Sequence, residues 1–169
     1  MSDAWVTRPE EERDAEAIRQ VLLAAFPTAL EADLVDALRE DAAWIPGLSI
    51  VTEHDGTVVG HALLTRCHVG DTPALALAPC SVLPAYQRRG AGAAAITAAL
   101  DAARALGEQL VLVLGHPSYY PRFGFVRASI YGIRAPFDAP DEAMMALPFG
   151  SGPVPSGTIT YPAPFGIAA

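Results

Sequence analysis

The chain has 169 residues, 51% of them hydrophobic, and a formal net charge of -8 at pH 7. That length supports one good core and is short for two ordinary domains, so a single domain over residues 1–169 is expected. Lysine is absent and the balance is acidic, which argues against a nucleic-acid partner. No apolar run approaches the roughly 18 residues of a bilayer span, so no membrane is expected either.

The start, Met1-Ser2-Asp3-Ala4-Trp5, has no basic cluster followed by an apolar run, and the cytoplasm is the expected compartment. Trp5-Val6-Thr7 reads as a short strand, and Glu10-Glu11-Glu12 suits the positive end of a helix carrying Ile18, Val21, Leu22 and Ala25. A second helix is predicted from Leu30, Leu34, Val35 and Leu38, ending before Pro46-Gly47. Residues 48–53 and 57–64 are strand-like around His54-Asp55-Gly56, the pattern of a hairpin. Residues 75–82 form a fourth strand in which Pro79 predicts a bulge or an edge. An alanine-rich helix over 90–106 stops at Gly107, and residues 110–114 supply a buried strand parallel to the fourth. A helical turn at 118–122 follows, and residues 144–149 and 158–161 are candidate terminal strands. Met144-Met145-Ala146-Leu147 could join two copies as a homodimer, but closing its own sheet is the more economical use. The expected fold is therefore mixed α/β: a mostly antiparallel sheet of about six to seven strands, with one parallel pair between the fourth and fifth, flanked by helices.

Cys67 and Cys80 lie in or beside apolar strands, where a disulfide is not expected without export. His68 beside Cys67 lacks a second ligand cluster, so no metal is expected.

The most informative segment is Pro84-Ala85-Tyr86-Gln87-Arg88-Arg89-Gly90-Ala91-Gly92-Ala93, between the fourth strand and the long helix. Two glycines one residue apart let backbone approach a ligand, and the unpaired N–H groups of a helix start suit a pyrophosphate. Alone, the turn could be an ordinary basic surface turn. It also satisfies the dinucleotide pattern G-x-G-x-x-A, but the acid required at the end of the next strand is replaced by Leu114-Gly115-His116, which disfavours a nicotinamide-dependent oxidoreductase.

The run Val82-Leu83-Pro84-Ala85-Tyr86-Gln87-Arg88-Arg89-Gly90-Ala91-Gly92 resembles the central motif of the GNAT acyltransferases, V-x-P-x-x-Q/R-x-x-G-x-G/A. A second match, Gly115-His116-Pro117-Ser118-Tyr119-Tyr120-Pro121-Arg122-Phe123-Gly124-Phe125, is similar to the family's Y-x-x-F/L-G-F segment in a branch of predicted N-acetyltransferases. The resemblance covers residues 5–128. It implies acetyl-CoA as cosubstrate, with Cys80, Ser81 and Val82 along the pantetheine arm and Gln87, Arg88, Arg89, Gly90, Ala91, Gly92 and Ala93 around the phosphates. It also implies parallel strands that splay apart, an oxyanion donor in the N–H of Val82, and Tyr120 as the acid that protonates the departing thiolate. Tyr119 is expected to point elsewhere and to serve as the backup. The general base stays open among Glu53, His61 and His116, of which His116 follows the fifth strand and is best positioned. The implied reaction is acetyl transfer to a primary amine of a small molecule or peptide. The alternative is a noncatalytic CoA-binding or regulatory domain.

Overall fold

The computed structural model describes residues 5–167, so the N-terminal reading at residues 1–4 lies outside the described residues. Strands β1 (Val6–Pro9), β2 (Ser49–His54), β3 (Thr57–Val69) and β4 (Thr72–Val82) pair antiparallel in succession. Strand β5 (Leu110–Leu114) pairs parallel with β4, and β8 (Met144–Pro148) pairs antiparallel with β5. Three short strands finish the arrangement: β6 (Val126–Arg127) beside β8, and β7 (Ile133–Arg134) beside β9 (Gly157–Thr160), which pairs with the end of β3.

Nine strands among the described residues exceed the six to seven expected, because β6 and β7 are two residues long and carry no readable alternation. The expected antiparallel order through the first four strands and the parallel pair are both present. Asp55 and Gly56 have φ of +51° and +79°, the left-handed pair that a tight two-residue hairpin needs, and His54 faces Thr57 across it. Met144–Pro148 is paired on both sides within its own chain, by β5 and by β6.

Strand alternation sorts the core into two layers. Ile50, Ala62, Leu64, Leu75 and Leu77 pack with Ala95, Ile96, Ala99, Leu100 and Ala103 of helix α3 (Ala91–Ala105). Their neighbours Val51 and Leu63 turn the other way, onto Ile18, Leu22, Val35 and Leu38 of α1 (Ala15–Ala25) and α2 (Leu30–Arg39). Further along that second face, Cys67, Val69, Ala74 and Ala76 are covered by Ile133 and Ile159, so the C-terminal segment finishes what the two helices begin. Alanine on the inner side of α3 lets the helix lie close to the sheet, which brings its first turn level with the end of β4.

An ion-pair group ties β1 to this layer. The Arg8 guanidinium holds Asp14 through two contacts of 2.6 and 3.0 Å and Glu53 through one of 3.0 Å, while Asp14 also accepts from the Glu11 N–H. Arg8, with that N–H, keeps the Asp14 carboxyl below the ordinary carboxylate range against the opposing effect of burial. A carboxyl depressed in the folded state contributes stability above its unfolded value of about 3.9, and that stability is lost as pH falls through the folded value. Asp14→Asn is therefore expected to lower stability at neutral pH by about 2 kcal/mol and to flatten the decline below about pH 4, as read by thermal melts across that range.

Candidate active site

Strands β4 and β5 share a register only at Leu75 with Val111 and Ala76 with Leu112. Beyond Ala76, β4 runs on to Val82 without β5, so the sheet opens between its parallel strands. Pro79 has no N–H for a ladder, and the pairing to β3 steps from Leu64 with Leu77 to Ala62 with Cys80, leaving two β4 residues opposite Leu63. That is the bulge Pro79 predicted. It also reverses which side chains face which layer: before it Leu75 and Leu77 face α3, and after it Cys80 does, while Ser81 turns toward α1 and α2 opposite His61.

The opening holds a cavity of about 400 Å³ that passes through the plane of the sheet. Gly92 and Ile96 of α3 line one end, Ala25 and Phe26 at the end of α1 line the other, and Cys80, Ser81, Val82, Gln87, His116, Tyr119 and Tyr120 form the walls. A second cavity of about 450 Å³ shares Val82, Gln87, Gly92 and Tyr119 with it and adds Arg88, Gly90, Ala93 and Arg122.

The turn before α3 leaves several backbone N–H groups without a helical acceptor. Gln87 Nε2 donates to the Val82 carbonyl at 3.0 Å and ties the loop back to β4. Arg88 at φ +63° and Gly90 at φ +95° turn the chain sharply into the helix, with Gly90 as its cap. The first helical hydrogen bond runs from Ala94 N–H to the Gly90 carbonyl at 2.9 Å, so the N–H groups of residues 91–93 have no acceptor within the helix. No acid stands in that first turn.

Not every expected residue reaches the cavities. The Arg89 guanidinium lies over the rings of Trp5 and Tyr86, at 5.9 and 5.6 Å, and its carbonyl accepts from the Trp5 indole at 3.0 Å. Ala91 is buried, and its carbonyl accepts from Thr52 Oγ1 at 3.0 Å, fixing the helix start to β2. Tyr119, expected to point elsewhere, lines both cavities and meets Tyr120 edge to face at 5.1 Å. The reason is local: Tyr119 caps a 3-10 turn over Tyr120–Phe123, within the helical turn expected at 118–122, and in so tight a turn neighbouring side chains need not oppose one another.

Tyr120 packs against Phe125 at 5.9 Å, and its ring sits where Gly115 has no side chain: a Cβ there would lie 2.3 Å from Cε2. Tyr120 and Cys80 share the cavity wall, close enough for each to shift the other's titration. Burial raises the Tyr120 phenol above its ordinary range, with Cys80 adding to the effect, and burial pushes the Cys80 thiol up to about 12. Both groups are neutral near pH 7.

The three candidate bases part company. Glu53 is engaged by Arg8, His116 is exposed at the cavity wall, and His61 is buried with Nε2 at 2.7 Å from Ser49 Oγ. Burial, with help from the Arg39 charge, holds the His61 imidazole down to about 3. Ala25, Ile96 and Arg122 were not legible as site residues. The first two read as helix positions like any other, and Arg122 comes to the second cavity because its Nε donates to the Tyr119 carbonyl at 2.8 Å while its guanidinium covers the Tyr119 ring at 4.2 Å.

A mixed sheet that splits at its parallel pair, with a bare helix start at the mouth of the split, is the GNAT acyltransferase fold. The chain belongs to the acetyltransferase (GNAT) family, whose sequence profile matches residues 15–125. It is 42% identical over 134 residues to the uncharacterised N-acetyltransferase YjhQ of Escherichia coli strain K12, covering 76% of this chain and 74% of that protein. The crystal structure of the GNAT family N-acetyltransferase YhbS from Escherichia coli in complex with CoA superposes with a TM-score of 0.90 at 26% identity, over 100% of this chain and 96% of that one. A GNAT family acetyltransferase from Brucella melitensis in complex with acetyl-CoA gives 0.80 at 33% identity, over 96% and 99%.

Proposed function

We propose that residues 1–169 act as one cytoplasmic N-acetyltransferase domain, moving an acetyl group from acetyl-CoA to a primary amine of a small molecule or peptide by direct attack in a ternary complex. The observation that carries the reading is the pairing of Tyr120 with Cys80 on the wall of one cavity in the gap between β4 and β5, with the N–H groups that open α3 at the neighbouring cavity. The CoA and acetyl-CoA held by YhbS and by the Brucella enzyme support the choice of cosubstrate.

In this reading the pyrophosphate lies against residues 87–93 and the arm passes Cys80, Ser81 and Val82 from the α3 side. The amine comes from the side of Ala25 and Phe26. Attack on the thioester carbon forms the C–N bond, and the developing oxyanion is met by backbone N–H, most directly that of Val82. The C–S bond then breaks, and the Tyr120 hydroxyl donates to the leaving sulfur as charge builds there. A phenol whose acidity is weakened by burial keeps its proton near pH 7 and is there in the donating form.

Calorimetric titration with acetyl-CoA, followed by thiol release with spermidine, tyramine and alanyl-glycyl-glycine as probe amines, tests this. Micromolar binding with thiol release supports the transferase. Binding without release favours a noncatalytic CoA-binding or regulatory domain, and no binding overturns the reading.

A further inference from the structure

A chain of polar side chains runs through the layer between the sheet and the first two helices, and no step above uses it. Glu10 is held by Arg39 through contacts of 3.1 and 3.2 Å, and Arg39 also reaches Asp36 at 3.1 Å. Ser49 Oγ donates to Glu10 and lies 2.7 Å from His61 Nε2. Ser49 and His61 are 2% and 1% exposed, so this line is shielded from solvent except at Glu10.

The donors and acceptors determine which way the line points. An ionised carboxylate can only accept, so the Ser49 hydroxyl proton lies toward Glu10 and its oxygen is left to accept from His61. His61 therefore carries its proton on Nε2, and Nδ1 is a bare acceptor. Nδ1 is buried without a partner among the described residues, and so is Ser81 Oγ. These two residues face each other directly in the β3–β4 register, which puts their Cβ atoms about 5 Å apart on one face of the sheet. Ser81 is also a wall of the cavity, on the side of Ala25 and Phe26. Two unsatisfied polar atoms at such a spacing suit one bridging water.

We propose that His61 Nδ1 takes the proton shed by the attacking amine, through a water held against Ser81 Oγ, and that Ser49 passes a proton on to Glu10. This rests on the acetyltransferase reading above. The amine N–H bond breaks and a bond forms at Nδ1. The Nε2–H proton moves to Ser49 Oγ as the original Ser49 proton moves to the Glu10 carboxylate. One proton in all travels from the amine to Glu10, and His61 changes tautomer while remaining neutral. That fits an imidazole held far below its ordinary range by burial and by Arg39, which would be a poor store for a proton but is suited to relaying one. Between turnovers, once product has left, the proton runs back from Glu10 through Ser49 to Nε2 as the Nδ1 proton leaves through the cavity water to solvent, which restores the starting tautomer.

The test pairs Ser49→Ala and His61→Gln with a direct reading of the ring. In the unaltered protein, nitrogen NMR of the imidazole is expected to show His61 neutral with the proton on Nε2 at neutral pH. A proton resident on Nδ1 overturns the direction of the relay whether or not an acceptor is known. With whichever of the three probe amines reacts fastest, Ser49→Ala is expected to lower kcat about 10²-fold, with KM for acetyl-CoA within about twofold. The remaining rate should climb with pH toward the pKa of the amine itself. Both variants turning over within about threefold of the parent overturns the proposal. So does a loss that appears as weaker acetyl-CoA binding and a lower melting temperature with an unchanged pH profile. If no amine reacts with the parent protein, it is the acetyltransferase reading that fails, and the ring measurement still decides the relay.

Discussion

Tyr120→Phe is expected to lower kcat by about 10² to 10³-fold while leaving the affinity for acetyl-CoA within about twofold. The substitution removes one oxygen. The ring keeps its packing against Phe125 and Phe123, so the fold has no reason to change. What disappears is the hydroxyl on the cavity wall beside Cys80, and with it the group proposed to meet the sulfur as the C–S bond opens. A matched variant reaches the same atom from behind. Gly115→Ala places a methyl group 2.3 Å from Cε2 and 3.0 Å from Cδ2 of Tyr120, and neither ring carbon can give way without moving the hydroxyl. It should lose activity to a similar degree and, unlike Tyr120→Phe, melt earlier by the cost of an overpacked core, about 1–3 kcal/mol. Thiol-release kinetics and thermal melts on the two variants read the prediction. Full activity in Tyr120→Phe would return the residue to a packing role.

Gly92→Leu is expected to weaken acetyl-CoA binding by about 10²-fold, a change of about 2.7 kcal/mol. Gly92 lies in the first turn of α3 and lines both cavities, and a Cβ added there meets Val82 Cγ2 at 3.1 Å. A larger side chain has only the cavity to enter, where it would cover the N–H groups of residues 91–93. Because Gly92 has no left-handed backbone requirement, the loss should fall on binding rather than folding. Gly90 offers the contrast. It stands at φ +95°, so Gly90→Val combines obstruction with backbone strain of about 1–2 kcal/mol and should lower both affinity and melting temperature. Calorimetry on Gly92→Leu separates the cases: unchanged affinity would remove residues 87–93 as the phosphate site.

Much of this molecule could be read from local chemistry. Asp55-Gly56 dictates a left-handed turn whatever surrounds it, the alternation of apolar residues assigns strand faces, and Gly90 with Gly92 at a helix start needs only backbone geometry to suggest an anion site. Pro79 announces a bulge because a residue without an N–H interrupts any ladder it enters. These features depend on neighbours within a few positions, which is why a linear pattern can carry them.

What only the tertiary structure decided involves residues brought together from far apart. The bulge at Pro79 reverses the facing of every later residue of β4, so whether Cys80 or Ser81 faces α3 was settled by the pairing with β3. Tyr119 and Arg122 join the cavities because a 3-10 turn folds them back onto α3. Arg89, the same residue type as Arg88 and its neighbour, is taken up by Trp5 and Tyr86. Glu10, Ser49 and His61 lie on three separate segments, and no spacing links them. Among three candidate bases of similar chemistry, it was the ion pair to Arg8, the exposure of His116 and the burial of His61 that told them apart, and each of those is a property of packing. The sequence by itself determined the local turns, the strand faces and the chemistry available to the site. Tertiary packing decided which side chains meet there, because burial and partner choice are properties of the assembled core.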